Sequence, residues 1–241
     1  MLPGFPSKIW NVGDFLESVT VPTPLDVLNS KKDVVDVFID YENVRRTALG
    51  IFYDDGESHL GVVDPVKLAE RIVSMRRNDS VLRHVHVFRG KPNPTRQPKP
   101  AAAFNRLDAM WSKSSKFISH YRDLKYTSHS HTGEENFTAT EKGVDVELAV
   151  CLISTAASEN RPEAVILVSN DTDLLPAVQH VYEGSNTHIE IASWAGPGSH
   201  PLFIREYLNS PEKKKLPYCH FLNEECFESV CQDDIPILRS V

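Results

Sequence analysis

The sequence has no run of 18 consecutive apolar residues, so no segment reads as a membrane-spanning helix. Its opening stretch, MLPGFPSKIWNVGDF, lacks the basic start, apolar core and small-residue cleavage site of an export signal. Cysteine is scarce: the four residues at 151, 219, 226 and 231 are too few and too unevenly spaced for a disulfide scaffold. Reduced thiols in a cytoplasmic protein are therefore expected. A Walker loop, a Gly-Xaa-Ser-Xaa-Gly elbow and a dinucleotide fingerprint are missing too. Nucleotide triphosphate hydrolysis, acyl transfer and hydride transfer are thus without support. No internal repeat is present.

What remains is an ordinary folded composition, 41% hydrophobic and 24% charged over 241 residues, enough chain for one elaborated domain or one domain with arms. The formal net charge of -7 argues against a general nucleic-acid coat. The charge is unevenly spread, however. Between Arg71 and Lys125, thirteen Lys and Arg stand against three Asp, a net of +10 that leaves -17 for the rest. Such a run is either a set of solvated helix faces or a phosphate-binding flank beside an acidic centre.

Hydrophobic patterning alternates strands with helices. VVDVFI is a β-branched run that ends at Asp40. DPVKLAERIVSMRR follows as a helix, with Asp64 as its cap and Pro65 at its first position. HVHVFRG reads as a second strand, KPNPTRQPKP as a rigid loop, AAAFNRLDAMWSK as a helix and KFISHYRDLKY as a third strand. After the polar stretch TSHSHTGEENFTATEKG come a core helix, VDVELAVCLISTAA, and a fourth strand, AVILVSN. Asp173 is expected to cap the next helix, with Pro176 in its first turn. THIEIASW is a fifth strand; a helix over HPLFIREYLN and the apolar run LPYCHFL complete the chain. Strands separated by helices imply parallel crossovers and an open sheet covered on both faces.

In such sheets the chemistry sits at the carboxyl ends of the strands. Asp40 closes the first strand and Asp171 and Asp173 follow the fourth, so all three fall on one rim. Asp145, after a hinge at Gly143, opens the core helix and can point back to that rim. Carboxylates gathered in a cleft repel one another unless a cation sits among them, and hard, oxygen-seeking Mg²⁺ or Mn²⁺ is the natural partner. Ions so held activate water against a phosphodiester. His129 and His131 lie in a polar loop without partners for a metal site. Cys219, His220, Cys226 and Cys231 lack the two-residue zinc knuckle.

FIDYENVRR, EKGVDVELAVCLI and ILVSNDTDLLPAVQHV resemble, in spacing and order, the three motifs of the NYN family, a branch of the PIN-like nucleases. The resemblance runs from about Val34 to Trp194. It implies a three-layer α/β/α PIN-like fold with a mostly parallel central sheet, and metal-dependent cleavage of RNA. It implies a nuclease domain over residues 34–195; residues 1–33, without clear periodicity, read as an arm, and residues 196–241 as a C-terminal extension packed on that domain. Residue by residue, Asp40, Asp145, Asp171 and Asp173 match the family's metal-binding acids, with Asp173 the less direct ligand. Asn43 matches the asparagine that orients the site. Lys142, Ser169, Thr172, Arg45, Arg89 and Lys91 are the candidate substrate-binding residues. Asn170 departs from the pattern, where the family commonly has glycine. That departure and the acidic balance keep open a non-catalytic RNA-binding module of the same fold. A phosphatase with an aspartyl nucleophile is a weaker rival, because the first strand ends in DYEN rather than Asp-Xaa-Asp.

Overall fold

The computed structural model describes residues 31–53, 60–129, 136–197, 202 and 216–232. Its first strand, β1 (Asp33–Asp40), lies mid-sheet and is buried on both faces, which is why its sequence is a β-branched run rather than a clean alternation. It pairs in parallel with β2 (Ser80–Lys91) on one side and β6 (Ala164–Val168) on the other. β3 (Phe117–Asp123) extends the sheet beyond β2, while β7 (His188–Trp194) and β8 (Tyr218–Leu222) extend it beyond β6. The order is β3-β2-β1-β6-β7-β8, with every pairing parallel. The chain therefore winds outward in one direction from β1 and in the other from β6. A topological switch point lies between these two strands, the place where open α/β sheets leave a crevice.

Helices cover both faces. On one, Val35, Val37 and Ile39 of β1 meet α1 (Tyr41–Phe52), α2 (Pro65–Ser74), α3 (Pro98–Trp111) and α6 (Glu224–Val230). On the other, Phe38 and Phe88 meet α4 (Val144–Ala157) and α5 (Leu175–Gly184) through Leu148, Leu152, Val178 and Val181. This is the expected three-layer α/β/α fold. Asp64 caps α2, accepting from the amides of Val66 at 2.9 Å and Lys67 at 3.1 Å, and Pro65 takes the first helical position.

Three local features differ from the sequence expectation. Helix α1, with Tyr41, Val44 and Ala48 buried, stands between the first strand and the DPVKLAER helix. No punctuating residue announces it, because Asp40 both ends the strand and caps the helix. Helix α3 starts at Pro98, inside the proline-rich stretch, since prolines in a first turn surrender only amides with no helical partner. The polar stretch before α4 contains an antiparallel hairpin, β4 (Lys125–His129) with β5 (Asn136–Thr140). Tyr126 and Phe137 stack edge to face on it at 5.3 Å, and the Tyr126 hydroxyl is tied to Asn93 and Gln97. Beyond the hairpin, Gly143 at φ 74° makes the left-handed turn that launches α4. The helix expected over HPLFIREYLN, the 1–33 arm and His131 fall wholly or largely outside the described residues. Among those residues no helix is long and apolar enough to cross a membrane, and the four cysteines are free thiols.

Candidate functional site

The two strands flanking the switch point end side by side, and their loops are bonded to each other. The Ser169 hydroxyl, just past β6, donates to Asp40 Oδ2 at 3.0 Å and accepts from the Asp171 amide at 3.0 Å. Asn43, in the first turn of α1, donates its amide to Asp40 Oδ1 at 3.4 Å. Its side-chain Oδ1 accepts from the Asn170 amide at 2.9 Å. Asn170 Oδ1 accepts from the Ser193 hydroxyl at 2.9 Å, which draws in the end of β7. The Asn170 side chain is thus a built part of the turn.

Asp145 reaches the same rim from the first turn of α4. One carboxylate oxygen each from Asp40, Asp145 and Asp171 lies within 4.8 Å of the others. Burial pushes the Asp40 carboxyl up to about 7; the charges of Asp145 and Glu141 add to the rise, while the bonds from Ser169 and Asn43 oppose it. The Asp145 carboxyl is raised too, by burial and then by the charges of Asp171 and Asp173. All three groups are hard oxygen donors, the donor set that suits Mg²⁺ or Mn²⁺ and not a soft metal. A divalent cation answers both the burial that raises the Asp40 carboxyl and the neighbouring charges that add to it.

The remaining expected residues divide. Asp173 is exposed on the 3-10 turn Thr172–Leu174 and stays outside the converging triple. It does not cap the next helix: Asp171 caps this turn instead, accepting from the Asp173 amide at 2.9 Å. The Asx geometry of a carboxylate two residues ahead of an amide decides between the two. Ser169 is 1% exposed and its hydroxyl is engaged with Asp40 and Asp171, so it joins the two loops rather than facing a ligand. Thr172 and Lys142 are exposed, beside Asp171 and ahead of Asp145.

Arg45 and Arg89 turn inward on the half-buried Glu42, at 3.0 and 2.9 Å. Burial alone would raise the Glu42 carboxyl, but Arg89 and Arg45 hold it below its ordinary value. The three line a cleft of about 580 Å³ with Arg46, Gln97 and Glu141. Lys91 lies farther out, in a shallow pocket with Arg96 and Tyr126. Glu141 is the neighbour that the sequence reading missed, although it directly precedes Lys142. It accepts from the Gly90 amide at 2.5 Å, and burial raises its carboxyl.

The basic segment does not form an uninterrupted flank. Arg71, Arg76, Arg83, Arg89, Lys116 and Arg122 pair with Glu225, Glu190, Asp36, Glu42, Glu70 and Glu147. Much of that charge excess neutralises acids far away in sequence.

A family model described as the NYN domain matches residues 34–206. No curated protein matches. A crystal structure of a protein of unknown function from Vibrio parahaemolyticus is similar at 15% identity, over 68% of this chain and 82% of that one, with a TM-score of 0.39.

Proposed function

The chain belongs to the NYN domain family, and from that premise we propose that it is a metal-dependent ribonuclease whose centre is Asp40, Asp145 and Asp171. The observation that carries this reading is the convergence of three carboxylates within 4.8 Å at the switch point of a parallel sheet, a cluster with little stability of its own without a cation. Mg²⁺ or Mn²⁺, when bound there, supplies an activated water and neutralises the leaving oxygen of a phosphodiester.

The protein's own residues set the geometry. Asp40 is aimed by the Ser169 hydroxyl and the Asn43 amide, so its oxygens are fixed before any ligand arrives. The same serine orders the Asp171 amide, which keeps the two strand ends in register. Asp173 adds negative charge at the exposed turn and acts on the centre from outside it. Lys142 and Thr172 present a cation and a hydroxyl to phosphates at the open rim. Arg45, Arg89 and Lys91 line the side along which a single strand of RNA lies. In that role the domain spans 34–195, with the residues from 196 onward as its C-terminal extension.

The test is cleavage of end-labelled single-stranded and hairpin RNA by the purified chain, with Mn²⁺, with Mg²⁺ and with a chelator. Cation-dependent products are expected from the wild type and none from Asp171→Asn, with both proteins giving the same circular dichroism. RNA that is bound but never cut at any cation concentration would favour the binding-module reading. Binding should weaken steeply with salt, as phosphate contacts do.

A further inference from the structure

A second cluster of metal-ligating side chains lies away from the carboxylates, under α4. His86 of β2, His120 of β3 and Cys151 of α4 each bring one ligand atom to within 4.8 Å of the others. These residues are 34 and 31 positions apart along the chain, and the crossover packing of α4 over β1, β2 and β3 brings them together. We propose that His86, His120 and Cys151 form a zinc site, separate from the carboxylate centre and different from it in metal preference.

The donor set is the first reason. Two imidazole nitrogens and a thiolate suit Zn²⁺ and are poor ligands for Mg²⁺, the reverse of three carboxylates. Geometry is the second. His86 Nδ1 and His120 Nε2 face each other at 3.0 Å. In a tetrahedral site, with zinc–nitrogen bonds of about 2.0–2.1 Å, two imidazole nitrogens stand roughly 3.3 Å apart. A small spreading of the rings opens the position between them, with the Cys151 sulfur on the helix side. Binding exchanges the Cys151 thiol proton, released to solvent, for the metal.

The third reason is the support around the rings. His86 stacks on Phe38 at 4.6 Å and His120 on Phe88 at 4.3 Å, both nearly parallel. Their ring planes are therefore set before metal arrives. His86 is 8% exposed and its far nitrogen, Nε2, is buried with no hydrogen-bond partner. That nitrogen lies 3.9 Å from Asp36 Oδ2. A histidine that ligates through one nitrogen and presents the other to a carboxylate is the usual outer arrangement of a zinc site. A metal on Nδ1 puts the proton on Nε2, the side of the ring on which the Asp36 carboxylate lies. His120 and Cys151 are only partly buried, so a path from solvent exists. The fourth position is left to water.

The test uses the full chain, stripped of metal by a chelator. Zn²⁺ titrated in competition with a chromophoric chelator should bind tightly at one equivalent, and Co²⁺ should develop a thiolate-to-metal charge-transfer band. Cys151→Ser should abolish that band. It should also weaken Zn²⁺ binding by more than the roughly 10–100-fold that loss of an outer partner brings; His120→Asn should do the same. Asp171→Asn should leave both readouts unchanged, which keeps this result apart from the fate of the ribonuclease proposal. For any variant that fails to fold, alkylation of wild-type Cys151 followed by mass spectrometry replaces it, and Zn²⁺ should slow that alkylation. A Co²⁺ complex without the thiolate band, a Cys151→Ser variant that binds as wild type, or alkylation indifferent to Zn²⁺ each overturns the proposal.

Discussion

Asp36 and Asp40 sit four residues apart on the same strand, face the same layer of the fold and are almost equally buried, at 1% and 4% exposure. Yet one carboxyl is held down to about 2 and the other pushed up to about 7. Burial raises both and is the largest influence on each. The difference is company. Asp36 accepts two bonds from the Arg83 guanidinium, at 2.9 and 2.5 Å, and one from the His84 amide at 3.1 Å. Asp40 has only a hydroxyl and a longer amide bond, and it looks out on two more acids. A buried acid matched by a cation of the protein is part of the framework. One left without such a cation, at the mouth of a switch point, fits the external cation that the proposed ribonuclease centre calls for.

The sharpest way to break this contrast is to neutralise the acid of the unmatched region. Asp40→Asn or Asp171→Asn should cut RNA cleavage at least about 10³-fold, the rate equivalent of the several kcal/mol that a bound cation contributes to a transition state. Single-turnover cleavage at saturating Mn²⁺ measures it. A loss of less than tenfold in both variants would remove the carboxylates from the mechanism.

In the matched region the large effect is on stability. Arg83→Met keeps the aliphatic stem but leaves Asp36 buried beside two histidines, and should destabilise the fold by about 3–5 kcal/mol in urea unfolding. Adding Asp36→Asn should recover a good part of that loss, because the uncompensated charge goes with it. The pH dependence has a defined sign: the folded Asp36 carboxyl lies below its ordinary value of 3.8. Its contribution, about 2 kcal/mol, is therefore complete above that value and lost as pH falls through about 2.

Asp40 carries the opposite sign. In the absence of divalent cations its folded carboxyl, near 7, holds a proton that the unfolded chain gives up near 3.8. The cost of ionising it grows from about pH 4 and is complete above 7, where it amounts to about 4 kcal/mol. Asp40→Asn should therefore stabilise the chelator-treated protein at pH 8 by about 3 kcal/mol, once a weakened hydrogen bond is subtracted. The gain should shrink towards pH 5, and Mn²⁺ should stabilise wild type but not the variant. Thermal unfolding at the two pH values reads both. Equal gains at pH 5 and pH 8 would mean that Asp40 is not the group held at high cost.

The alternation of strands and helices was legible because each core strand is a short apolar run and the helices carry apolar residues at helical spacing, with α2 marked by its Asp64 cap and α4 by the Gly143 hinge. The acids were legible because each stands where an element starts or stops. The ion pairs escaped because they depend on partners distant in sequence. Arg89 and Glu42 are 47 residues apart, and Arg76 and Glu190 are 114 apart. Nothing local in a run of cations says that it will be spent on such pairs. Hairpin β4–β5 went unseen because one aromatic pair is nearly all it has to mark it, and α1 because a single aspartate serves both strand and helix. The histidine pair under α4 needed the sheet register before its two rings met.

Asn170 gives the smallest effect and the finest test of where the two regions part. It stands in the loop of the unmatched acids, yet it behaves as framework: its amide bonds to Asn43 and its side chain receives the Ser193 hydroxyl. Asn170→Gly keeps the first bond and loses the second. It also gives the unfolded chain more freedom to lose, so a cost of about 1 kcal/mol is expected. Because Asp40 and Asp171 are still joined through Ser169, cleavage should stay within about threefold of wild type, a change of less than 1 kcal/mol in barrier. A glycine variant that cuts much faster would show that the asparagine restrains the turn around Asp171. One that no longer cuts would show that the bond to Ser193, and not the serine bridge alone, holds the acids in place.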